Sequence, residues 1–275
     1  LRKMLLKTRP YENNDGDTER VYNDGLDSLE KILEEPHIRF GKRIQNVREE
    51  LIGLRNRFRA VDADYVKDKP LIGVLGEIFC RLNTFANEDM IKVLEKHGAE
   101  TWIADVGEWI FFTDWIRTNT MIRRGESFSG KRTLAKLKNY LMKKDEHVLL
   151  EPFHEDFTGY EEPPDPETVV KLGRPYLPAE GALGEMSLSI GQSLYLHNKG
   201  VDGIVDISPF SCMNGIVSEA IYPSISKDYD NMPCRVFYYD GINADLDRDI
   251  GIYMELVKGY KSQKRVERIY PPQFK

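Results

Sequence analysis

The stretch Val201-Asp202-Gly203-Ile204-Val205-Asp206-Ile207-Ser208-Pro209-Phe210-Ser211-Cys212-Met213-Asn214-Gly215 decides the fold. Its first part is a short apolar run bounded by Gly203 and Pro209, the pattern of a buried parallel strand, here Gly203 to Ile207. A tight, glycine-containing turn carries Cys212, and a helical pattern follows from Asn214 to Ser226. In open α/β sheets, ligands bind at the carboxyl ends of strands. A thiol at the start of a helix in such a place has a lowered expected pKa and suits metal or cluster ligation.

Working outward, the same alternation recurs. Leu71-Ile72-Gly73-Val74-Leu75 reads as a strand after Pro70. The segment Gly76 to Ala86 then reads as a loop, and Asn87 as the N-cap of a helix from Glu88 to His97 that Gly98 terminates. Thr101 to Val106 fits a second strand, and strand–helix–strand at about this length is a right-handed crossover unit. After Pro178, Glu180-Gly181-Ala182-Leu183-Gly184-Glu185-Met186 leads into a helix through His197. Arg235 to Tyr239 reads as a last strand ending at Asp240-Gly241, and Ala244 to Tyr260 as a last helix with Ile250, Tyr253, Met254 and Val257 on one stripe. The expected fold is therefore α/β: a doubly wound, mostly parallel, Rossmann-like sheet of at least four strands.

Residues 1–66 read as an N-terminal helical segment, and 67–275 as the Rossmann-like domain with a helical insertion at about 107–178. Val21, Tyr22, Leu26, Leu29, Ile32 and Leu33 recur at helical spacing over Asp17 to Glu35, and Ile44, Val47, Leu51, Leu54 and Phe58 draw a second stripe. The insertion opens on a dense aromatic run from Trp109 to Trp115, which reads as core or as a wall beside a ligand site. It continues with a basic segment, Lys131 to Lys144, and an acidic one, Glu151 to Glu167; each reads as a solvated face, with phosphate binding as the alternative for the basic one.

Composition narrows the class of function. The 275 residues are 41% hydrophobic and 31% charged, an ordinary globular balance, and the net charge of −6 leaves no basic footprint for nucleic acid. No apolar run approaches the roughly 20 residues that span a bilayer, so no membrane partner is expected. Three cysteines are too few for a disulfide framework and point to a reducing, cytoplasmic setting. The chain opens mid-pattern on Leu1 and reads as a piece of a longer protein.

The cysteines are the candidate ligands. Cys80 and Cys212 follow the carboxyl ends of expected strands, whereas Cys234 begins its strand at the opposite edge, about 16 Å away at the usual rise per residue. Cys234 reads as a small buried hydrophobe. Cys80 and Cys212 each admit two readings, metal ligand or packing residue. The carboxylates at or near that edge are Glu77, Glu185 and Asp240; Glu77 and Asp240 are the candidates for holding a ligand, with a simple turn as the other reading of Asp240-Gly241. His97 and His197 sit near helix C-termini, where the dipole favours an imidazolium. Phosphate-loop, dinucleotide, nucleophile-elbow and zinc-protease signatures are absent from the sequence.

Several motifs in combination resemble one family. Arg9-Pro10-Tyr11-Glu12, Gly16-Asp17-Thr18-Glu19-Arg20, Ile72-Gly73-Val74-Leu75-Gly76-Glu77-Ile78-Phe79, Asn87 with Leu94-Glu95-Lys96-His97-Gly98-Ala99-Glu100, Asp202-Gly203-Ile204-Val205, Pro209-Phe210-Ser211-Cys212-Met213, and Pro233 through Asp240-Gly241 are similar to the large CoA-substrate-specific enzyme activase proteins. The wider relatives are 2-hydroxyacyl-CoA dehydratase and benzoyl-CoA reductase subunits. The resemblance implies Rossmann-like lobes around a cysteine-ligated iron–sulfur cluster, of the 4Fe-4S type. An ATP-hydrolysing activase module injects an electron that passes to a CoA thioester, and in dehydratase relatives a ketyl radical loses water. It implies that Cys212 occupies a late cluster-ligand position, that Cys80 stands where relatives often carry an ordinary residue, and that further ligands lie outside this chain. The nucleotide-binding modules have no counterpart here. The chain is thus expected to be a C-terminal, electron-transferring piece, inactive alone, working in a homo- or heterodimer. A non-catalytic docking domain and a metal-free small-molecule binder are the competing expectations.

Overall fold

A computed structural model describes all residues except 124, 126–129, 179–183 and 242–244. In chain order the principal elements are α1 (Arg2–Thr8), α2 (Asp17–Glu34), α3 (Phe40–Arg59), β1 (Leu71–Gly76), α4 (Ile78–Leu82), α5 (Met90–Lys96), β2 (Glu100–Ile103), α6 (Val106–Arg123), α7 (Gly130–Leu150), α8 (Pro166–Gly173), α9 (Met186–Asn198), β3 (Gly203–Pro209), α10 (Met213–Asp228), β4 (Cys234–Tyr239) and α11 (Leu246–Lys261). They divide between two compact units. One comprises Leu1–Lys67, Ile116–Thr158 and Tyr270–Lys275; the other comprises Asp68–Trp115 and Gly159–Ile269.

The second unit holds the sheet. Its order is β2-β1-β3-β4, and every pairing is parallel. The expected α/β sheet of four parallel strands is therefore present. Short continuous apolar strands form it because both faces are covered. Ile72, Val74, Val205, Ile207 and Phe237 pack with Met90 and Leu94 of α5 and with Ile250, Tyr253, Met254 and Val257 of α11. The four expected stripe residues of α11 are thus all in the core. On the other face Leu196 of α9 lies over Gly73, where a Cβ would come within 2.6 Å of its methyl carbon. Helices α8 and α9 approach so closely that a Cβ at Gly191 would sit 2.1 Å from the Val169 carbonyl oxygen.

At the amino ends of the strands a buried polar group closes the unit. Arg268 donates to Glu100 at 2.5 Å and also meets the Tyr160 hydroxyl, with all three side chains buried. Glu100 is the first residue of β2, so a fully buried carboxylate is tolerated only because a guanidinium and a phenol satisfy it.

The first unit is helical. Met4, Leu5, Val47, Leu51 and Phe58 pack with Phe153, and Val21, Tyr22, Leu29 and Ile32 of α2 join them. Leu26 and Leu33, which share the α2 periodicity, are exposed instead. The charged face of α3 meets the acidic segment: Arg59 pairs with the buried Asp156 at 2.8 Å, and Arg55 donates to the Pro152 carbonyl at 2.7 Å. Tyr11, Tyr65 and Phe274 form an aromatic cluster, with ring centroids 5.2–5.3 Å apart.

Several local expectations change. The segment after β1 is not a plain loop: Glu77 caps α4 by accepting from the Cys80 N–H at 2.7 Å. Asn87 does not cap a helix. It is buried, and its amide donates to the Cys80 and Arg81 carbonyls at 2.8 and 3.2 Å, satisfying the end of α4. Helix α5 therefore begins later, after Glu88 and Asp89 at φ 51° and 53°. Strand β2 is shorter than expected, because Val106 already belongs to α6. The lead-in Glu180 to Leu183 and the helix start at Ala244 lie outside the described residues. No helix among the described residues is long and apolar enough to cross a membrane.

Candidate functional site

Strand β1 has β2 on one side and β3 on the other, so the connections that leave the carboxyl ends of β1 and β3 run to opposite sides of the sheet, the switch point at which open α/β sheets place their ligands. Gly76 ends β1 at this point with φ +107°, and a Cβ on it would sit 2.1 Å from the Ile207 carbonyl oxygen. The next N–H, that of Glu77, donates to the same oxygen at 2.9 Å. Glycine is thus what lets β1 turn away while still bonded to β3.

Both candidate cysteines stand at this edge. Cys80 lies in α4 and is buried; Cys212 is the half-buried N-cap of α10. The left-handed residue of the turn before it is Ser211, at φ 64°, and Gly215 lies inside α10. Burial pushes the Cys80 thiol up to about 11, with the neighbouring charges of Glu77 and Cys212 adding to the shift. The two sulfurs are therefore near enough to influence one another, and Cys80 is held as a neutral thiol. Cys234 begins β4 beside Ile204, at the strands' other ends, and burial raises its thiol pKa. Among the described residues no group of three or more His, Cys, Asp or Glu side chains converges as a metal site. A cluster that takes about three or four thiolates does not fit this chain by itself.

The candidate carboxylates separate. Glu77 is engaged as the cap of α4 at the β1 edge. Asp240 is exposed beyond β4, with β3 intervening. Burial lowers the His197 pKa, against the helix-end expectation, and the ring meets Tyr229 edge-on at 4.7 Å.

The polar centre of this edge is a residue that the sequence reading passed over. Arg81 follows Cys80 in α4 and is 4% exposed, and its Nε is buried with no hydrogen-bond partner among the described residues. Burial lowers its pKa; Glu108, Glu185, Asp206 and Asp105 oppose that shift, Glu108 most strongly. These four carboxylates come from the start of α6, the N-cap of α9, strand β3 and the β2–α6 link. Burial and the charge of Glu162 push the Glu108 carboxyl up to about 8, and its Oε1 is also buried with no partner among the described residues. Burial pushes Asp206 up to about 6, restrained by the Tyr222 hydroxyl donating at 2.6 Å. Glu185 accepts from the Ile78 N–H at 3.1 Å and from Trp109, which gives one member of the aromatic run a polar task. No sequence motif marks this cluster, because its members are scattered over the unit. Glu185 alone is expected near this edge; for Arg81 the local hint is a charged residue inside the apolar pattern after β1.

Several large apolar side chains are exposed at this edge. Phe79 and Phe85 after β1, and Phe210, Met213 and Ile216 after β3, are all exposed. Met213 and Ile216 are three residues apart on α10 and share a face. No protein-family model, curated protein or solved structure matches the chain.

Proposed function

We propose that this chain is a non-catalytic α/β docking domain of a CoA-enzyme activase-like assembly. It presents the carboxyl edge of its sheet to ATP-hydrolysing activase modules or to another subunit. The observation that carries this reading is the rim of exposed apolar side chains on adjacent strand ends, Phe79, Phe85, Phe210, Met213 and Ile216. Exposed apolar surface concentrated at one edge marks an interaction site. Mixing the chain with purified activase modules and following the complex by analytical ultracentrifugation tests it. Phe79→Ser with Phe210→Ser should weaken association at least about tenfold, the scale of a buried aromatic anchor. Unchanged association, or none in the parent chain, rejects the reading.

A second reading is an iron–sulfur-cluster-binding, electron-transferring domain whose ligands are completed by another chain. The shared position of Cys80 and Cys212 at one edge favours it. Iron and sulfide analysis after anaerobic purification, alone and in the complex, separates the two. Under this reading iron appears and Cys212→Ser removes it.

A further inference from the structure

We propose that two copies of this chain associate by laying the basic outer face of α7 from one copy on the acidic outer face of α2 from the other. The inference goes beyond the docking reading and does not rest on it, because both helices belong to the helical unit and not to the sheet unit. Helix α7 carries six Lys or Arg against two acids, and α2 carries six acids against two Lys or Arg. Each helix gives one face to the core of its unit: Leu29 and Ile32 of α2 and Leu149 of α7 pack there, and α3 lies against both helices. The faces turned outward are not purely charged. Leu134, Leu137 and Leu141 of α7 are 68%, 53% and 49% exposed, and Leu26 and Leu33 of α2 are 44% and 56% exposed.

The two faces match in spacing and in sign. Leu26 and Leu33 are seven residues apart, as are Leu134 and Leu141, so each pair lies on one side of its helix, about 10 Å apart along the axis. Between its leucines α2 carries the exposed Glu30, and at the equivalent position α7 carries the exposed Lys138. Laid side by side, the leucines cover one another and leave opposite charges at the same height. Lys136 and Lys144 of α7 and Glu30 and Glu34 of α2 are exposed and form no ion pair among the described residues. Other occupants fit less well. Pairing α7 with itself would set like charges face to face. The acidic stretch after α7 is already engaged within the chain, Glu151 by Arg48 and both Glu155 and Asp156 by Arg59. An anionic membrane would attract α7 but leave the matching face of α2 unused.

Sedimentation equilibrium of the intact 31.8 kDa chain at concentrations up to about 0.1 mM, the reach of a weak interface, should show self-association that weakens as salt is raised. Lys136→Glu with Lys144→Glu, and separately Glu30→Lys with Glu34→Lys, should each weaken it about tenfold or more, because like charges replace opposite ones. An equimolar mixture of the two variants should associate at near-parental strength, since α7 of the second and α2 of the first are both native. All four positions are exposed, so both variants should keep the parent's circular dichroism; a variant that loses it is replaced by the corresponding Gln substitutions. Phe79→Ser with Phe210→Ser should leave this association unchanged, which separates it from docking at the sheet edge. A parent chain that stays monomeric, association untouched by either pair of changes, or a mixture that fails to associate would overturn the proposal. A monomer captured by phosphatidylserine vesicles would show a membrane to be the partner of α7 instead.

Discussion

Gly76→Ala tests how tightly the carboxyl edge is built. The new Cβ would lie 2.1 Å from the Ile207 carbonyl oxygen and 2.5 Å from Asp206 Oδ1, where ordinary contacts begin at 3.4 Å. The backbone φ of +107° adds strain of about 1–3 kcal/mol for any residue with a side chain. Relieving the overlap requires β1 and β3 to separate locally. That weakens the 2.9 Å bond from Glu77 N–H to Ile207, at a cost of about 1 kcal/mol. The sum is roughly 3–5 kcal/mol once the displaced Asp206 is included. Trp102, Trp109 and Trp115 all belong to the sheet unit, so tryptophan fluorescence in a urea titration reports that unit. At a slope of about 2–3 kcal/mol per molar urea, the midpoint should fall by about 1–2.5 M. Gly259→Ala is the control: its Cβ meets nothing within 4 Å, and the change should be neutral or stabilise α11 by up to about 1 kcal/mol. A Gly76→Ala midpoint within about 0.3 M of the parent's would refute the argument, because a shift so small leaves no room for the overlap.

Two further outcomes follow from the same site. Native-state alkylation mapped by mass spectrometry should modify Cys212 well before Cys80, which is buried and has its thiol pushed up to about 11; equal rates would mean α4 opens readily. The Glu108 and Asp206 carboxyls bind protons more tightly folded than unfolded, at about 8 and about 6 against ordinary values of 4.5 and 3.8. Their contribution to stability is therefore full below the ordinary values and is lost as pH rises through the folded ones. Glu108→Gln should gain on the parent chain between pH 5 and pH 8 by a few kcal/mol, read from urea midpoints at each pH, and parallel curves would contradict the shift.

Much of the fold was legible because strand and helix periodicities differ. The apolar runs at Leu71 and Gly203 are strands, and the α11 stripe is core, as their patterns indicate. What escaped is governed by distant partners. Asn87 has the side chain of a good cap but is drawn inward by the Cys80 and Arg81 carbonyls. Glu77 caps α4 although glutamate is not a favoured cap, because the Gly76 turn presents it there. The edge bearing Cys80 and Cys212 was found from the strand pattern alone, whereas Arg81 was not. A charged residue in a short helix carries no period, and only three-dimensional placement buries its side chain.

The pairing of β1 with β3 has a consequence for synthesis. The Leu71 N–H is met by Asp202, 131 residues further along the chain. During translation β1 and β2 can form their ladder early, but the opposite side of β1 stays open until β3 leaves the ribosome. An apolar strand with one bare flank is a template for mispairing between nascent chains. The growing polypeptide must keep that flank shielded, by a chaperone or by provisional contacts, for as long as the intervening segment takes to emerge.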